Sequence, residues 1–217
     1  MSLVARAVRI INIMSAKGLH VMMIGPGCGG KAEGSKYVYL KQKGFDCEVL
    51  NLPEATAGDL ESKEKGMEML KGRLAAAEGK ILPDVIIGCS RGGKYVGELV
   101  NRNMWKGPML LISAMGTRHC CESNTENIPL LLCHGTQDGT NPIHRVRMDV
   151  QQCQTAKLVE FDDDHSLRSL VHQDLLAGLV QQCYDMQFQA PSKPNVPKKP
   201  ARPAMGALFA QIHAKGN

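Results

Sequence analysis

Residues 85–100 read VIIGCSRGGKYVGELV, and the architecture of the chain turns on them. Val85, Ile86 and Ile87 run into Gly88-Cys89-Ser90-Arg91-Gly92, and a segment of helical period follows. A buried strand therefore passes through a sharp turn into a helix, the context that G-x-S-x-G requires. A serine on such a turn is held in a strained backbone conformation. The residues two before and two after it must be small, because side chains there would collide across the turn. Gly88 and Gly92 meet that demand.

A serine hydroxyl is a poor nucleophile at neutral pH and needs a base to take its proton. The stretch VEFDDDHSL (159–167) supplies His165, which follows the last expected strand and precedes the last expected helix. An imidazole in that role needs a buried carboxylate to fix its tautomer and stabilise its charged form. LLLCHGTQDGTNPIHRV (130–146) offers Asp138, again just past a strand. Asp162, Asp163 and Asp164 adjoin His165, but sequence neighbours rarely direct their side chains at one another productively, which favours Asp138. His134 reads as a packing and hydrogen-bonding residue at a strand end. His119, His144 and His172 read as solvated histidines, and the Cys89 side chain is expected to point down from the turn.

Short apolar runs recur along the chain: LHVMMIG (19–25), DCEVLNL (46–52), DVIIGCS (84–90), PMLLISA (108–114), IPLLLCHG (128–135) and KLVEFDD (157–163). They read as strands, with VRIINI (8–13) as an earlier one. Helical periods separate them at 35–43, 59–78, 92–105 and 142–153. The 59–78 segment places Leu60, Met67, Leu70, Leu74 and Ala77 on one face. A single final helix over 166–187 is expected, with Leu167, Leu170, Val171, Leu175, Leu179 and Cys183 on its apolar stripe. Alternating strands and helices predict an α/β fold: an open, mostly parallel sheet with helices on both faces. Ligands of such sheets sit beyond the carboxyl ends of the strands, and each candidate residue above follows a strand.

Three motifs in this order, Gly88 to Gly92, then His134-Gly135-Thr136-Gln137-Asp138 with Pro142, then Asp164-His165, resemble the α/β-hydrolase superfamily, in particular its small esterase and dienelactone-hydrolase-like branch. The likeness spans about residues 19–186. It implies a serine hydrolase cleaving an ester or thioester through an acyl-enzyme, with Ser90 as nucleophile, His165 as general base and Asp138 as orienting acid. It needs no cofactor and no metal. SAMGTRHCCESNTENIP (113–129) leaves little room for helices, so a minimal fold with little or no cap and an open site is expected.

The loop GPGCGGK (25–31) fits two further patterns by spacing alone. As a phosphate loop it lacks a hydroxyl after Lys31, where Ala32 stands. As a dinucleotide loop it lacks an acid closing the next strand, which ends on Asn51 and Leu52 with Glu54 beyond, so a nucleotide-binding oxidoreductase is disfavoured. The hydrolase resemblance makes this loop an oxyanion hole. Pro26 has no N–H to give, so Gly27, with Cys28 beside it, and Arg91 after the serine are the expected donors. A hydrolase fold kept as a non-catalytic binding or scaffold protein is the alternative function.

Composition narrows the partners. The chain has 217 residues and a formal charge of +5. Lys193, Lys198, Lys199, Arg202 and Lys215 follow the last acid and account for that excess. Residues 1–187 are thus a nearly neutral domain, and a nucleic-acid partner is not expected. Residues 188–217 form a tail with Pro191, Pro194, Pro197, Pro200 and Pro203 at every third position, the repeat of a polyproline II rod, before a short amphipathic end. Pro197, Pro200 and Arg202 match an SH3-type ligand, against the alternative of a solvated linker. Eight cysteines without regular spacing suggest reduced thiols in the cytoplasm. Arg6, Arg9, Lys17 and Lys31 among residues 1–32 without an acid leave a mitochondrial transit segment as the alternative. No apolar run reaches the length of a membrane span.

Overall fold

A computed structural model describes residues 18–25, 33–53, 60–75 and 82–189. Six strands, β1 (His20–Ile24), β2 (Asp46–Leu50), β3 (Val85–Cys89), β4 (Met109–Ile112), β5 (Leu130–Gly135) and β6 (Ala156–Phe161), form one parallel sheet in the order β2-β1-β3-β4-β5-β6. All six apolar runs from Leu19 onward become strands. VRIINI, the 25–31 loop beyond Gly25, and the proline-rich tail lie outside the described residues.

The order has a physical consequence for the helices. From β1 the chain steps outward to β2, then returns past β1 and advances through β3 to β6. Because parallel crossovers are right-handed, a reversal of direction moves the connecting helices to the opposite face. So α1 (Ser35–Gln42) covers one face, whereas α2 (Leu60–Ala75), α3 (Gly92–Asn101), α4 (Thr117–Ser123) and α5 (Ile143–Gln151) cover the other. After β6, α6 (Ser169–His172) and α7 (Leu176–Asp185) return to the α1 side, and a 3-10 turn follows at Met186–Phe188.

Strand residues serve the two faces alternately. Val21, Met23, Val85, Ile87, Leu110, Ile112, Leu131 and Cys133 pack under α1 and α7. Met22, Ile24, Ile86, Met109, Leu111, Leu130 and Leu132 pack under α2 to α5. Burial on both sides explains why the central strands read as unbroken apolar runs. The edge strands β2 and β6 are only partly covered.

Three expectations need correction. The final helix is broken in two, because Asp174 takes a left-handed φ of 58° and the Leu175 N–H closes back on the Leu170 carbonyl at 3.0 Å. Leu170, Leu176, Leu179 and Cys183 still reach one core across the break, so periodicity alone could not reveal it. The segment 113–129 does contain a helix, α4, which lies against α3 at Gly97 and covers the sheet between β4 and β5. Finally, Leu60 on α2 is 70% exposed, while Met67 and Leu70 carry the buried face.

Glycines set the closest contacts. Gly44, at φ 89°, ends α1, with the Phe45 N–H on the Leu40 carbonyl and the Gly44 N–H on that of Lys41, a Schellman closure. Gly92 is more demanding, since a Cβ there would run into the Ile24 carbonyl at the end of β1. Gly92→Ala should destabilise the protein by at least about 3 kcal/mol, because a backbone carbonyl cannot swing aside as a side chain can. Gly72→Ala, in an exposed stretch of α2 with open space around it, should instead stabilise by up to about 1 kcal/mol. Urea denaturation of both variants measures the contrast.

Candidate active site

The turn after β3 is one of the left-handed points on this rim, with Ser113 after β4 and Leu167 after His165 as others. Ser90 has φ 49°, a left-handed conformation that costs a non-glycine residue of order 1 kcal/mol or more. Its backbone is held from β4: the Ser90 N–H donates to the Ile112 carbonyl at 3.0 Å, and its carbonyl accepts from Met115 at 2.8 Å. Small residues make the turn fit. A Cβ on Gly88 would meet Val96 at 2.8 Å, and one on Gly25 would meet the Cys89 carbonyl at 2.8 Å. Cys89 packs toward the α1 and α7 core, and burial pushes its thiol up to about 11, leaving it a poor nucleophile at neutral pH.

The loops after β5 and β6 zip together. Thr136 donates to the Phe161 carbonyl at 2.8 Å and Gln137 to that of Asp163 at 3.0 Å. Gly135 lies so close to Asp163 and Asp164 that a Cβ would strike both carbonyls. This zipper brings His165 to Asp138, 27 positions away along the chain, and the turn after β3 sets Ser90, 75 positions away, beside the imidazole. Ser90 Oγ lies 2.9 Å from His165 Nε2, and His165 Nδ1 lies 2.7 Å from Asp138 Oδ2. The carboxylate is fully enclosed, while the imidazole keeps 28% of its side-chain surface exposed at the rim.

Asp138 is well supplied with donors. Oδ1 accepts the Thr140 N–H at 2.8 Å and the Asn141 N–H at 2.9 Å, an Asx turn. Burial opposes its charge, but the Asn141 N–H, the His165 ring and the Thr140 N–H outweigh that and hold the carboxyl below its ordinary range. The neighbouring acids are occupied elsewhere: Asp163 accepts from Ser169, Asp164 from Ser166, and Asp162 from the Gln137 amide.

The same fold occurs in solved structures. The chain superposes on an alpha-beta serine hydrolase homologue from Coxiella burnetii with TM-score 0.61 and 17% identity, over 76% of this chain and 85% of that one. Est1E from Butyrivibrio proteoclasticus gives 0.57 and 15%, over 80% and 89%. The CarC serine hydrolase involved in carbazole degradation gives 0.56 and 13%, over 80% and 92%. The fold is that of the α/β hydrolases. No protein-family model matches the chain, and no curated protein matches it by sequence.

On this hydrolase fold, the expected oxyanion donors divide. Gly27 and Cys28 lie outside the described residues. Arg91 stands at the N-terminus of α3, where the first N–H groups have no acceptor within the helix. Its guanidinium turns away from the serine to the Pro53 carbonyl at 3.0 Å, Ser62 Oγ at 3.1 Å and the Tyr95 hydroxyl at 3.0 Å. Lys36 on α1 donates to the Ser166 carbonyl at 2.6 Å and so steadies the residue after His165. His119 is not free in solvent as expected, but faces Glu98 at 3.3 Å beside Lys63 and Arg102. Among the described residues, no group of three or more His, Cys, Asp or Glu side chains is placed to hold a metal ion, and no helix is long and apolar enough to cross a membrane.

The sequence did not single out Asn141. Its Nδ2 donates to the Ala114 carbonyl at 2.8 Å, one residue before the Met115 N–H that holds Ser90. The Asx pattern D-x-x-N was a usable local signal, but its target on another loop was not.

A pH test of this site follows from Asp138. Its depressed folded-state ionisation contributes stability that is fully present above the ordinary carboxylate value and lost as pH falls through the folded value. Asp138→Asn should cost about 1–3 kcal/mol at neutral pH. The gap between wild type and variant should narrow below about pH 4, as read by urea denaturation across a pH series. A gap independent of pH down to acid unfolding would show that the carboxylate charge is not the stabilising element.

Proposed function

We propose that the protein is a serine hydrolase that transfers an acyl group from an ester or thioester to water through an acyl-enzyme on Ser90. The observation that carries this reading is the continuous path from Ser90 Oγ to His165 at 2.9 Å and on to Asp138 at 2.7 Å. In the first step Ser90 Oγ attacks the substrate carbonyl carbon while His165 Nε2 takes the hydroxyl proton. Asp138 keeps Nδ1 protonated and stabilises the imidazolium. The oxyanion of the tetrahedral intermediate is held by the Arg91 N–H and by an N–H of the 25–31 loop, Gly27 with Cys28 beside it. His165 returns its proton to the leaving alcohol or thiol, and water then releases the acid by the same path in reverse.

Support comes from three further directions. Ser90 holds a left-handed φ of 49° at the tight turn from β3 into α3. Asp138 has its donors arranged for the charged form. Solved proteins of the same fold include ones described as serine hydrolases and as an esterase domain. The helix between β4 and β5 packs on the sheet face, which favours small esters or an acyl group on a larger carrier.

Ser90→Ala should abolish labelling by a fluorophosphonate probe and lower hydrolysis of p-nitrophenyl acetate by at least about a thousandfold. His165→Ala should reduce both comparably, since nucleophile and base act as a unit. Labelling that persists in Ser90→Ala would move the nucleophile elsewhere, and a wild type that neither labels nor turns over would leave a binding or scaffold role.

A further inference from the structure

His134 stands at the end of β5 with 2% of its surface exposed, and the mechanism above makes no use of it. Its Nε2 lies 2.7 Å from the Asn141 carbonyl oxygen and 3.2 Å from Asp138 Oδ2. A carbonyl oxygen can only accept, so this nitrogen carries a proton and donates it to the Asn141 carbonyl, with the Asp138 carboxylate close beside it. Asp138 Oδ2 thus has a second imidazole within 3.2 Å besides His165, while its hydrogen bonds come from Thr140, Asn141 and His165.

The same donor closes the 135–141 loop from the inside. His134 fixes the Asn141 carbonyl, the Asn141 N–H fixes Asp138 Oδ1, and Asn141 Nδ2 fixes the Ala114 carbonyl. Met115, next in the chain, donates to the Ser90 carbonyl. A hydrogen-bonded path thus joins the acid to the nucleophile turn without passing through His165. Its other end is rooted in a rigid strand, which is where precision at a site is best kept.

We infer that His134 is a positioning residue: as an Nε2–H donor to the Asn141 carbonyl it holds the Asn141 hub, and through it Asp138, in register with Ser90, so that His165 bridges a gap of preset width. The inference deepens the hydrolase reading for its kinetic consequences, while the protonation of Nε2 stands apart from that reading. His134 also sits opposite Glu160 in the β5–β6 ladder, where Glu160 is hydrogen-bonded to Arg147 at 2.8 and 2.5 Å and feels the imidazole only through charge.

The test has two arms. In wild-type protein, nitrogen-detected NMR of labelled histidine should show Nε2 of His134 protonated and coupled to a slowly exchanging proton; an unprotonated Nε2 overturns the inference whether or not the protein is an enzyme. In the kinetic arm, p-nitrophenyl acetate hydrolysis and fluorophosphonate labelling are compared for wild type, His134→Leu and His134→Gln. Leucine removes the donor, whereas the glutamine amide can present an N–H at the same reach. His134→Leu should lose about tenfold or more in kcat and in labelling rate with KM little changed, and His134→Gln should recover most of that loss. Equal activity in all three, or a glutamine variant as impaired as leucine while melting like wild type, rejects the positioning role. A wild type that labels at Ser90 and turns over separates these outcomes from failure of the hydrolase assignment itself.

Discussion

Among the described glycines, the one with least room for a side chain is Gly92, whose Cβ would strike the Ile24 carbonyl where the start of α3 meets the end of β1. It sits at the point where the strand order reverses, with β2 on one side of β1 and β3 on the other. Helices diverge to opposite faces there and leave a crevice above the sheet. Closing that crevice to backbone contact requires residues without side chains. Gly25 after β1, Gly88 in β3 and Gly92 at the start of α3 supply them, and Ser90 is then left at the rim in a left-handed conformation uncommon for a residue with a side chain.

Charge is organised around that geometry by depth. Asp138 is wholly buried and surrounded by N–H donors, His165 is half-exposed above it, and Ser90 faces the rim. A buried carboxylate without such donors would protonate instead of orienting a base. The Asx turn and the His165 imidazole offset that penalty, from the loops after β5 and β6. Specificity of position therefore comes from polar groups, while stability of the frame comes from the two apolar layers on either side of the sheet.

Much of this was legible in the residues. The glycine spacing around Ser90 could be read as a pattern, although the contacts that demand it come from Ile24 at Gly92 and from Val96 and Leu111 at Gly88, and apolar runs report burial on both faces, which acts at every strand. The break at Asp174 was not legible, because a single left-handed residue leaves the apolar stripe of Leu170, Leu176, Leu179 and Cys183 intact. Helix α4 was hidden for a different reason: seven residues with two buried cysteines and polar neighbours carry too little period to stand out, and the need to cover the sheet between β4 and β5 is a property of the assembled layers. His119 found Glu98 only because α4 packs on α3.

The chain by itself determined the sheet, the turn that exposes Ser90, and the kinds of side chain that chemistry at that turn would need, since each depends on neighbours near in sequence. Only the tertiary structure decided which carboxylate meets His165, what His134 and Asn141 hold, and where the Arg91 side chain goes. Those outcomes depend on distances between loops joined by crossovers of many residues, and a hydrogen bond, effective over about 3 Å, is settled only when packing has brought its partners together.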